Sequence, residues 1–201
     1  MSTFKSSALT EPEITGPGRT AHHEAGHSVM AMSFGFQVHA ISASPVDTAD
    51  GRSWINVPSF LTETDHVKLA LVAAAGLAAE AHFCQISGMT NAASIGHYGD
   101  KRKANESMNA IGHEGLFSFY LNWANEYLIQ PSVWRALSEL VNRLQKEGLL
   151  SDPDAIAIIA RTVPPFDPKL FEKKLRLIED LKRLGLLSRI QDPFDGIAYR
   201  Q

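Results

Sequence analysis

A single cysteine, Cys84, stands in the whole chain of 201 residues. No disulfide can close within it, and a metal site built from several thiolates is excluded. That usage fits a reducing compartment, and a cytoplasmic protein is the expectation. Excess charge is lacking too: 19 Lys and Arg against 22 Asp and Glu give a formal net charge of −3. So balanced a chain has no electrostatic attraction for nucleic acid or an anionic membrane, and no nucleic-acid partner is expected. The N-terminal residues Met1 to Ser7 lack an apolar core of signal-peptide length. The most apolar run, Leu69 to Ala79, is too short to span a bilayer and meets Glu80 at once; it reads as a buried helix, with no membrane span. Internal repeats, low-complexity tracts and a Walker A phosphate loop are also missing.

What is there is ordinary globular composition, 44% hydrophobic and 20% charged, enough for one core. The length fits one domain with an extension. Residues 1–17 are polar and end in Gly16-Pro17-Gly18, so they read as a flexible arm. Residues 18–150 read as the domain, and residues 151–201 as a helical extension packed on it. A helix is predicted from Arg19 or Thr20, with Thr20 as N-cap, to about Ser33, stopped by Gly35. Gln37 to Ser44 alternates like a strand, and Trp54 to Val57 returns as a second. Thr62 or Thr64 caps a long apolar helix from Asp65 to Phe83. After a loop over 87–99, Asp100 opens a helix to about Leu128, broken near Gly112 and Gly115. Three more helices follow, from Pro131 or Ser132 to Gly148, after Asp152, and from Lys169 to Leu184. The fold class predicted is α+β, mainly α-helical, with a small sheet near the first helix.

That first helix carries His23-Glu24-Ala25-Gly26-His27. Residues four apart share a helical face, so both imidazoles can present a nitrogen to one metal ion. Glu24 lies beside the first of them, placed to take a proton from an attacking water rather than to bind metal. This H-E-x-x-H pattern is that of zinc hydrolases, metallopeptidases above all. Catalytic zinc takes three protein ligands and leaves a fourth position open. The third must come from elsewhere: Asp47, Asp50, Glu80, His82, His97, Asp100 and His113 all qualify, and spacing does not choose among them. Glu80, on the apolar helix, and Asp100, at a loop-to-helix boundary, are the most attractive. Capping the helix is the competing role for Asp100, and orienting a ligand histidine the competing role for Glu80. His113-Glu114 lacks a second histidine at helical spacing and reads as packing. His22 reads as packing or surface, His97 as a loop histidine, and Cys84 as a small buried hydrophobe.

Beyond the pentapeptide, residues 20 to 110 resemble the protease domain of the FtsH-type AAA metalloproteases. Ala21-His22-His23-Glu24-Ala25-Gly26-His27 is similar to that family's A-Y-H-E-A-G-H. Val38 to Pro45 sits where the family has its V-x-K-V-(S/T)-I-x-P strand. Ala75-Gly76-Leu77-Ala78-Ala79-Glu80 is similar to G-G-R-A-A-E, with Leu77 in place of the arginine. Gly99-Asp100-Lys101-Arg102-Lys103-Ala104 looks like N-D-L-x-x-A, after a longer intervening stretch. The resemblance implies a zincin-like metallopeptidase domain with zinc (Zn2+) held by His23, His27 and Asp100, and Glu24 as general base. It implies peptides or unfolded proteins as substrates, bound along the Val38 to Ser44 strand. The family's ATPase module and membrane span are absent from this sequence, so hydrolysis is expected to be ATP-independent. A homo-oligomer or a separate ATPase is the further partner that the family suggests. The alternative is a non-catalytic zinc- and peptide-binding regulatory protein on the same scaffold. A third reading is a regulatory protease of another type that cleaves a repressor and places its third ligand differently.

Overall fold

The computed structural model describes residues 16–44, 51–89 and 97–186. Of the arm expected over residues 1–17, residues 1–15 lie outside them, and Gly16 and Pro17 belong to the first helix instead. Helix α1 spans Gly16–Ser33 and starts earlier than predicted, so Thr20 lies inside it and is no cap. Pro17 explains the shift: in a first turn its missing N–H is not needed and its φ is already helical. Beyond Ser33, Gly35 takes φ +79, the left-handed stop that the sequence signalled.

Strand β1, Val38–Ser42, and strand β2, Arg52–Ile55, form the expected antiparallel pair, with a register shift between Val38 and Ala40. A third strand that the sequence did not reveal, β3 at Leu149–Leu150, joins the other side of β1. The sheet order is therefore β2-β1-β3, with β2 at one edge.

Helix α2, Glu63–Ile86, opens on a capping box. The Asp65 N–H donates to Thr62 Oγ1 at 3.2 Å, and the Thr62 N–H donates to Asp65 Oδ2 at 3.0 Å. As a helix the apolar run is longer than it looked, and by length and composition alone it is long and apolar enough to cross a membrane. In this structure it is the central core helix, packed on α1, on α3 (His97–Asn109) and on α4 (Phe117–Leu128). The break between α3 and α4 falls where Gly112 and Gly115 take φ +67 and +75. Helix α3 begins at His97, so Asp100 sits within its first turn and does not cap it.

Helices α5 (Pro131–Glu147), α6 (Pro153–Thr162) and α7 (Pro168–Arg183) each open with proline in the first turn. Asp152 and Asp167 cap the last two through their side chains. Ile156, Ile159 and Ile178 from these two helices enter the same hydrophobic cluster as α1, α2 and α4. Over the described residues the chain is thus mainly helical with one small three-stranded antiparallel sheet, an α+β arrangement.

One contact sets the geometry of everything that follows. A Cβ built on Gly26 would lie 2.5 Å from the Ala75 carbonyl oxygen and 2.7 Å from Ala79 Cβ. Glycine there lets α1 press its backbone onto α2, and the small residues Ala75 and Ala79 accept it. Partners fall in opposite order along the two helices, His27 with Val72 and His23 with Glu80, so the helices run antiparallel.

Candidate metal centre

Arg19, His23 and His27 recur every four residues on α1 and face Val72, Gly76 and Glu80, which recur every four on α2. His27 Nδ1–H donates to the Val72 carbonyl at 2.7 Å. His23 Nδ1–H donates to Glu80 Oε2 at 3.2 Å. With Nδ1 so engaged, both imidazoles turn Nε2 toward the cluster, where it can hold either a proton or a metal ion. From α3, Asp100 brings Oδ2 to 2.8 Å from His23 Nε2 and 3.1 Å from His27 Nε2, and the two Nε2 atoms are 3.1 Å apart. All three side chains are buried.

Three acceptor atoms so placed repel one another unless a cation or a proton lies among them. Donors about 2.0–2.1 Å from one tetrahedral ion stand about 3.3 Å apart, close to the separations here. Gly76 completes the cradle. A Cβ at that position would sit 2.4 Å from His27 Nε2 and 2.9 Å from His23 Nε2, inside the cluster itself. The donor set and the cradle fit a bound metal ion.

Burial alone would lower the His23 pKa, but hydrogen bonds to Asp100 and Glu80 and the charges of Asp100 and Glu24 outweigh it and raise it to about 10. Burial would likewise raise Asp100; the charge of His27 and hydrogen bonds with His23 and His27 instead hold it well below the usual carboxylate range. In the metal-free protein the cluster therefore holds a proton on His23 at neutral pH, and a metal must displace it. This proton stabilises the metal-free fold fully below the ordinary value of 6.5, and that contribution is lost as pH rises through about 10. Metal affinity has the opposite slope. It should rise about tenfold per unit between pH 6.5 and 8.5 in competition with a chelator; a profile flat after correction for the chelator would mean that no proton is displaced.

Glu24 stands apart from the ligand set. Its Oε2 accepts from the Ser53 hydroxyl at 2.8 Å, and Ser53 in turn accepts from Ser28 at 3.1 Å. Ser53 also lies 3.0 Å from the Glu24 carbonyl oxygen, so edge strand β2 is tied to the helix at the glutamate. Gly51 matters for the same reason: a Cβ there would lie 2.8 Å from Glu24 Cγ. Glu24, the three clustered residues and β2 line one cleft of about 670 Å³, with apolar walls that include Ile55, Leu69 and Val72. That volume falls within the range of small-molecule and cofactor sites.

The remaining candidates fall elsewhere. Glu80 touches His23 through Nδ1 and not through the clustered nitrogen. His82 packs edge-on against Trp134. His113 is buried, with its Nδ1 accepting from the Tyr120 hydroxyl at 2.7 Å. His22 stacks on Phe83 at 3.8 Å. Asp47, Asp50 and the side chain of His97 lie outside the described residues. Arg19, Ser53 and the Val72 carbonyl escaped the sequence reading. Gly76 carried the one usable signal, a glycine inside an apolar helix, which marks close approach. No protein-family model matches the chain, and a search of curated proteins found no match.

Proposed function

We propose that the chain is a zinc-dependent metallopeptidase with a zincin-like domain of the FtsH type, acting on unfolded or small peptide substrates without ATP. The observation that carries the reading is the pairing of two functions in one cleft: three converging acceptors and a separately anchored glutamate. A site meant only to store metal has no use for the second. His23, His27 and Asp100 would hold the ion. Zinc, when bound, supplies Lewis acidity that acidifies water and polarises a carbonyl. Glu24, steadied at Oε2 by Ser53, accepts the proton of the attacking water and hands it to the leaving amine. Strand β1, where the sequence placed the peptide, is paired with β2 on one side and β3 on the other, so it is not the sheet edge. The edge of β2 instead offers backbone groups to an extended peptide, and the apolar walls take side chains without demanding a sequence.

The test is digestion of a mixed unfolded-peptide library by zinc-loaded protein. Cleavage that stops with a strong chelator and returns with added zinc is the expected result. Intact peptides alongside a stoichiometrically loaded site would overturn the reading in favour of a zinc-dependent binding protein.

A further inference from the structure

Arg19 is an odd residue for its position. It lies in the first turn of α1, where the helix dipole disfavours a cation, and four residues before His23 it faces inward. Its side chain is only 19% exposed. The guanidinium spends both Nε and Nη2 on a single oxygen, Glu80 Oε1, with Nε at 2.8 Å. The other oxygen, Oε2, is thereby left to accept from His23 Nδ1–H. Glu80 is 2% exposed, and so buried a carboxylate needs a countercharge and a fixed rotamer to be a useful acceptor.

We propose that Arg19 is a positioning residue for the metal centre: it locks the Glu80 carboxylate, which orients the His23 ring and so sets how tightly the centre holds its metal. The proposal rests on reading His23, His27 and Asp100 as a metal centre, but it does not need that centre to hydrolyse anything. Partners one step behind a metal-bound histidine are worth about 10–100-fold in metal affinity. Arginine serves better than a positive charge alone. Its flat fork places two N–H groups on one oxygen in a fixed direction, whereas a lysine ammonium is a point charge on a flexible stem.

The experiment is a double-mutant cycle on the full-length protein, read by zinc competition with a chromophoric chelator and by the visible spectrum of the cobalt(II) form. Arg19→Gln should weaken zinc binding about 10–100-fold and shift the cobalt bands. Glu80→Gln should do the same. Arg19→Lys should recover part of the loss, and keeps the test alive should Arg19→Gln fail to fold. In the Glu80→Gln background, Arg19→Gln should cost nothing further, because its route to the metal is already cut. A residue that merely braces the helix would change the melting temperature and leave the cobalt bands where they were. Unchanged affinity and spectrum in the Arg19 variants, or losses that multiply across the cycle, would overturn the relay while leaving the metal centre standing. A wild type that binds neither zinc nor cobalt would remove the centre and the relay together. A wild type that binds zinc tightly and cleaves nothing would overturn only the peptidase reading.

Discussion

Glu24→Gln should keep a full complement of zinc and lose peptide hydrolysis by about a thousandfold or more. The substitution is nearly isosteric, and an amide oxygen can still accept from Ser53, so the cleft and the tie to β2 survive. None of the three clustered atoms belongs to Glu24, so the ligand set is untouched. What disappears is the only group in the proposal that takes a proton from water. Zinc content by metal analysis and cleavage of one library-derived peptide, measured on the same preparation, decide the matter. Full activity in this variant would remove Glu24 from the mechanism. Loss of zinc alongside activity would mean that the carboxylate helps hold the ion.

Gly76→Ala is the more instructive of two ways to empty the centre. Alanine in mid-helix is favoured over glycine by about 0.5–1 kcal/mol, so helix α2 itself gains. The added methyl, however, would occupy the space beside both histidine Nε2 atoms, and these rings are already held at Nδ1. They must turn away or the helices must part. Zinc binding should therefore fall by at least about a hundredfold while the metal-free protein stays folded. Asp100→Ala should also release the metal, by deleting a donor rather than filling the cradle. Equilibrium dialysis with zinc, and circular dichroism of the metal-free forms, separate these outcomes from unfolding. Unchanged zinc content in Asp100→Ala would move the third donor to Glu80 or to a histidine.

Local chemistry was legible in the sequence and tertiary approach was not. The two histidines could be paired by eye because a helix repeats within their spacing. The caps at Thr62 and Asp152 were visible, since each is settled within a few residues, whereas the cap at Asp167 went unread. Asp100 lies 73 residues beyond His27, and no period connects them. The family resemblance named it over six rivals, but spacing could not, because that choice depends on where α3 lands against α1. The same limit hid β3, two residues whose strand character comes only from pairing with Ile41 and Ser42. Thr20 misled in the other direction, because a good capping residue also fits inside a helix once Pro17 has started it. Ser53 gave no sign of its role. A serine on a short strand is ordinary until the glutamate that it touches is known.

The cluster draws together α1 and α3 from distant parts of a chain whose single cysteine rules out an internal disulfide. A bound ion would act there as a removable crosslink, closing the loop of 73 residues between His27 and Asp100. By chain entropy alone, fastening a loop of that length restricts the unfolded state by about 4 kcal/mol. Metal supply would then govern how long the fold survives as well as whether the proposed site can work.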